Sequence, residues 1–308
     1  MKLKATVGAL AATLAFSVAP VQASVVAMAD LAISNFLLVQ LTGIDDSPFS
    51  PVTSVNITSE GRTGNATSLY NSAPGPGPTS VNVIGSGAAD IPYQCSGDCV
   101  TILPSYVGGL ENNFSTHITT PIADYALADM VITGTAISVG TNALTRANMA
   151  STGGANNGNA NSTILNGVTA TTTFTVGTAI DNVAFFLNYD VFVKAFVSGD
   201  AVDGFASAGN SWSLSVTKTG GAADFTPLIW SPGELNRSFT SNGLPSNAQY
   251  LAAGLLFSPT RTLTEGTYQL TILQASNATI DEKVPEPGTL LLAGLALAGL
   301  GVARRRRS

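Results

Sequence analysis

Val183-Ala184-Phe185-Phe186-Leu187-Asn188-Tyr189-Asp190-Val191-Phe192-Val193-Lys194-Ala195-Phe196-Val197 is the stretch whose reading decides the fold. Taken at every second residue, Val183, Phe185, Leu187, Tyr189, Val191, Val193, Ala195 and Val197 form an unbroken apolar row. A period of two places that row on one face of a strand. The intervening row mixes Phe186, Phe192 and Phe196 with Asn188, Asp190 and Lys194. One face therefore belongs to a core and the other is partly covered.

The pattern extends to both sides. Val168, Ala170, Thr172, Phe174 and Val176 alternate with threonines. Trp212, Leu214 and Val216 share a face against serines, and Tyr268, Leu270 and Ile272 share one against Gln269 and Thr271. Near the start, Leu31, Ile33, Leu37, Val39 and Leu41 point one way, with Asn35 the exception. Shorter strands are expected at 52–58 and 81–84. Gly199-Asp200, Gly220-Gly221, Asn242-Gly243 and Glu265-Gly266 supply turns between these runs. Short alternating strands with such turns predict an all-β, antiparallel β-sandwich of jelly-roll-like kind.

Other stretches interrupt the pattern. Asn71-Ser72-Ala73-Pro74-Gly75-Pro76-Gly77-Pro78-Thr79 reads as an exposed loop, because proline excludes helix and central strand. The small-polar tract 151–162 has nothing to bury and reads as a long mobile loop or a hinge. Residues 122–128 suit a short helix behind Pro121 or a strand. Cys95 and Cys99 are the only cysteines and are expected to pair in an oxidising compartment, with Gly97 allowing the tight turn.

Both ends of the chain look like addresses. Lys2 and Lys4, an uncharged run over 5–19 and Val21-Gln22-Ala23 make a secretory signal helix over 1–23, cut after Ala23. At the other end come Val284-Pro285-Glu286-Pro287-Gly288, an apolar span over 288–303, and Arg304, Arg305, Arg306 and Arg307. As a helix the span is about 24 Å long, slightly short of a ~30 Å hydrocarbon core. The arginines fix its basic end in the cytoplasm. The order of these three parts resembles the PEP-CTERM sorting signal of Gram-negative bacteria. That resemblance implies an exosortase, a membrane enzyme of cysteine protease/transpeptidase type, which would grip Pro285, Glu286 and Pro287. The 285–308 segment would then be a transient membrane anchor, removed on transfer to the surface. The second half, from Thr169 on, also resembles a group of exosortase-dependent surface proteins, through Asn188-Tyr189-Asp190, Trp230-Ser231-Pro232-Gly233-Glu234-Leu235 and Tyr268-Gln269-Leu270-Thr271-Ile272.

Between the two addresses the exported body, 24–284, carries seven basic and eighteen acidic residues, a net charge of about −11. It has no basic patch, and nucleic-acid partners are not expected. No motif fixes a chemistry. His117 is the sole histidine and is expected in a surface or loop position, without a Gly-x-Ser-x-Gly elbow or a second histidine to suit hydrolysis or zinc. Glu60, Glu111, Glu234 and Glu265 are scattered carboxylates that a polysaccharide hydrolase would need in pairs. Asp200 and Asp203 lie in a turn-prone stretch that could hold calcium but more simply faces solvent. Trp230 and Tyr250 would be stacking platforms if the body binds carbohydrate.

The resulting expectation is a non-enzymatic, cofactor-free surface or matrix protein, processed by signal peptidase and exosortase, with exopolysaccharide as a partner. A carbohydrate-binding module and a polysaccharide hydrolase are the rival readings.

Overall fold

The computed structural model describes residues 24–42, 49–102, 117, 123–135, 137, 140–152, 157–164, 170–198, 204–243 and 245–282. The expected signal helix with Ala23 and the C-terminal segment from Pro285 through Arg307 lie outside these residues. Among the described residues, no helix is long and apolar enough to cross a membrane.

The strands in chain order are β1 (Val25–Leu41), β2 (Phe49–Pro51), β3 (Val55–Tyr70), β4 (Ala73–Pro74), β5 (Ser80–Ile84) and β6 (Ala89–Gly97). Next come β7 (Tyr125–Thr133), β8 (Thr141–Ser151), β9 (Asn157–Ile164), β10 (Thr171–Val176) and β11 (Ile180–Val197). The last are β12 (Phe205–Gly220), β13 (Leu228–Trp230), β14 (Arg237–Asn242), β15 (Ser246–Phe257), β16 (Arg261–Leu263) and β17 (Gly266–Asp281). All their pairings are antiparallel, in two sheets.

Sheet A runs β15-β11-β1-β8-β7-β6. In sheet B, β9 and β10 share one lane between β3 and β17: β10 meets the first part of each, and β9 the later part. Beyond β17 lies β12, whose far side carries the short β13 and β14. Thus β1 is central in one sheet and β17 in the other.

The two sheets face each other across one core. The row beginning at Val183 is in that core along its length, with Trp212, Leu214, Val216, Tyr268, Leu270 and Ile272 opposite it in sheet B. The opposing row of β11 also has cover, since Phe192 is buried with Val26, Met28 and Ile102 on the outer face of sheet A.

β1 departs from simple alternation. Asn35 adopts a left-handed φ of 52°, a conformation its short polar side chain tolerates, and the pairing slips there. Leu31 and Ile33 face the inter-sheet core, but beyond the bulge that role passes to Phe36 and Leu38. Val39 and Leu41 turn instead to a small outer cluster with Phe186. The single face expected for Leu31 through Leu41 is therefore two faces, exchanged by one inserted residue.

Two other expectations change. The tract 151–162 is not continuous loop, because Ser151 closes β8 and residues 157–162 lie in β9 between β3 and β17. Of residues 122–128, those from Tyr125 on are strand.

A polar chain crosses the core and ties the sheets together. Gln274 Nε2 donates to Thr145 Oγ1 at 3.1 Å, and Thr145 and Ser276 hydroxyls meet at 2.7 Å. Ser276 Oγ donates to Asn210 Oδ1 at 2.7 Å, and Asn210 Nδ2 reaches the Asp30 carbonyl at 2.8 Å. Buried polar groups cost several kcal/mol unless partnered, so these four side chains favour one relative placement of the sheets.

Candidate functional site

On the outer face of sheet A, charge is laid across the strands in register. Asp30 of β1 pairs in register with Arg146 of β8, and Arg146 with Asp129 of β7. Asp30, Arg146 and Asp129 are all buried. Arg146 Nε donates to Asp30 Oδ1 at 3.0 Å. The other Asp30 oxygen is 2.8 Å from His117 Nδ1, and His117 Nε2 stands 3.5 Å from Asp190 Oδ1 on β11. The imidazole stacks on Phe192, with centroids 4.8 Å apart. Phe192 is itself the register partner of Asp30, so imidazole, ring and carboxylate converge on one spot.

Electrostatics follow from this arrangement. Burial pushes the Asp30 carboxyl upward, but Arg146 and His117 outweigh it and hold the group below the usual carboxylate range. Burial would depress His117, yet the two carboxylates raise it to about 9. At neutral pH the ring is therefore an imidazolium facing a carboxylate from each nitrogen. It has no lone pair to accept a proton, which is the opposite of what a general base needs. Lys194, on the same face, is also buried and lies 5.5 Å from the Phe196 ring centroid; burial lowers its pKa. His117, expected in a surface or loop position, lies outside any strand or helix and is half-buried, in a charged cluster that it shares with Asp30 of the first strand of the body.

A second cluster marks one pole of the sandwich. Ser151 pairs with Val25 at the start of β1 and lies close to Glu282, which follows the end of β17. Burial raises the Glu282 carboxyl; Ser151 works against this and the Asp124 charge adds to it. Burial likewise raises the Tyr70 phenol, with Ser151 working against it and the Asp124 and Glu282 charges adding to it. Asp124 Oδ1 also accepts from the Thr152 amide at 2.6 Å and hydroxyl at 2.7 Å. The body's first and last strands thus leave the sandwich from the same pole.

The other sequence candidates are dispersed. Cys95 and Cys99 form a disulfide with Cα atoms 5.9 Å apart, closed around Gly97 at a φ of 94°. Trp230 is buried edge-on against Trp212, with centroids 5.1 Å apart, so it is core and not a stacking platform. Arg237 lies 4.6 Å over the Tyr250 ring. Glu60 pairs with Arg62 at 3.7 Å, while Glu234 and Glu265 sit in separate turns. Glu111, Asp200 and Asp203 are outside the described residues. Among the described residues, no group of three or more His, Cys, Asp or Glu side chains could hold a metal ion.

The sequence reading passed over Asp30, Arg146 and Asp190 as site residues. A signal was present: Asp30 is a lone charge within an apolar strand, and such a charge stays buried only with a partner.

Comparison with known proteins bears on the chain's end. The PEP-CTERM protein-sorting motif model matches residues 283–307. No curated protein and no solved structure matches the chain. The protein therefore carries a PEP-CTERM sorting signal, the mark of an exported protein sorted by an exosortase. Its match begins one residue after Glu282, directly at the pole where β17 ends.

Proposed function

We propose that the protein is a non-enzymatic structural component of the cell surface or extracellular matrix, delivered by an exosortase, and that its sandwich body contributes to cohesion or adhesion. The observation that carries this reading is the sorting motif at 283–307, placed three residues or fewer behind a central strand. Glu282, Lys283 and Val284 are all that separate β17 from Pro285. Three extended residues reach about 10 Å. During processing the sandwich would sit close against the membrane, with the Glu282 pole inward. Signal peptidase would cut behind Ala23, and the apolar span 288–303 would hold the chain in the membrane only transiently, with Arg304 to Arg307 inside. The ion pairs of His117 with Asp30 and Asp190, and of Arg146 with Asp30, support a structural role for that cluster. Exopolysaccharide is the proposed matrix partner.

Mass spectrometry of the surface form tests the reading. Cells with the exosortase should yield a C-terminus near Pro285, and cells without it should retain Arg304 to Arg307. An intact arginine tail on the surface form of exosortase-positive cells overturns the proposal. Loss of cohesion in a strain lacking this protein, restored by the processed form, tests the second half.

A further inference from the structure

The edges of the two sheets are protected unequally. Sheet B ends in short strands: β5 has five residues, β13 three and β14 six. At one side of sheet A, β6 contains Pro92, a pairing irregularity between Ile91 and Gln94, and the disulfide at its end. Proline, bulges and brevity are the devices that keep sheet edges from pairing with other chains. The opposite edge of sheet A has none of them. β15 is twelve residues long, Ser-Asn-Ala-Gln-Tyr-Leu-Ala-Ala-Gly-Leu-Leu-Phe, without proline or charge. It pairs with β11 without a break in register, and among the described residues its other edge has no strand partner.

The geometry points to β15 as a self-association edge that pairs antiparallel with β15 of a second copy. Two observations select a second copy. The strand has no charge, so two copies meet without repulsion along its length. Its exposed apolar residues are also self-complementary. Leu251 and Leu255 are 58 % and 59 % exposed, the largest apolar side chains open on this strand. They share the outer face of sheet A, opposite Phe192 and Asn188 of β11. With a two-fold axis through Ala253, Leu251 of each copy falls opposite Leu255 of the other. Both leucine pairs then lie on one face, and the two A sheets become a single continuous sheet. The inference rests on the edge alone and stands whether or not an exosortase processes the chain; it gives the proposed cohesion a contact.

The test is run on the full chain in non-ionic detergent micelles, so that the C-terminal span contributes equally to every sample. The native chain has only the two cysteines of its disulfide, so Ala253→Cys introduces the one free thiol. A residue on the two-fold axis faces itself, and mild oxidation should convert Ala253→Cys to a covalent dimer. Ile229→Cys, on the exposed face of β13, should form no covalent dimer. In sedimentation velocity, Leu251→Lys/Leu255→Lys should lose the dimer shown by the unmodified chain. Mixing it with Leu251→Glu/Leu255→Glu should restore a heterodimer. The near-ultraviolet signal of Trp212 and Trp230 in sheet B confirms that each variant is folded. A monomeric unmodified chain, a lysine variant that dimerises as well as the original, or Ala253→Cys crosslinking no faster than Ile229→Cys overturns the inference.

Discussion

Arg146 Nε lies 3.0 Å from Asp30 Oδ1, and the two side chains are 1 % and 2 % exposed. An ion pair taken this far out of water contributes little net stability, but breaking it leaves an uncompensated charge. Asp30→Ala should therefore cost about 3–5 kcal/mol. Asp30→Leu combined with Arg146→Met should cost clearly less than Asp30→Ala alone. Urea unfolding of the three chains checks the order; equal losses would show that the pair's charges are better solvated than its burial implies.

His117 makes the same cluster pH-dependent. Its folded pKa is about 9, above the ordinary 6.5, so its contribution is complete below 6.5 and is lost as pH rises through about 9. The groups facing it are Asp30, Asp190 and, through Asp30, Arg146. The melting temperature of the native chain should fall across that window by more than that of His117→Gln. Parallel melting curves for the two chains would rule this out.

At the Glu282 pole the sign is reversed. A carboxyl raised by burial ionises more easily in the unfolded chain, so it destabilises the fold above its ordinary value of 4.5. Glu282→Gln should raise the melting temperature at neutral pH, and the gain should vanish below about pH 4. A thermal series from pH 3 to about 7 decides the matter.

Asn236 fills a gap in the pairing of β12. Its Oδ1 accepts from the Trp212 amide at 2.9 Å, and its Nδ2 donates to the carbonyls of Trp212 at 3.0 Å and Pro232 at 2.8 Å. It thereby acts as one rung of strand between β13 and β14. Asn236→Ala should cost about 2 kcal/mol, the usual penalty for stranding buried backbone groups. Asn236→Asp keeps the acceptor but turns an oxygen toward two carbonyls, so it should be at least as damaging. Chemical denaturation of both variants is the measurement.

Legibility in the sequence followed the range of the interaction. The apolar row of β11 is a local pattern, and its two faces read correctly from residue spacing. Asn35 was visible as an exception, but the exchange of faces it causes depends on where β11 and β8 continue their pairing. β9 gave no local sign. Its Gly, Asn, Ala and Ser residues form a strand because β3 and β17 each offer it a hydrogen-bonding edge. That is a tertiary effect overriding propensity. The charge cluster was hidden for a similar reason: Asp30 is 87 residues from His117 and 116 from Arg146. The sorting motif, by contrast, is contiguous and could be read directly.

The places of β1 and β17 bear on the timing of export. β1 must wait for β8 and β11, and sheet B keeps an open slot along its midline until β17 arrives. A polypeptide threading outward from its amino end would thus stay slack for most of its passage and could lock only when the residues just ahead of Lys283 emerge. Delayed closure of this kind would keep the cargo narrow inside a translocation channel, and it would couple completion of the sandwich to arrival of the sorting signal.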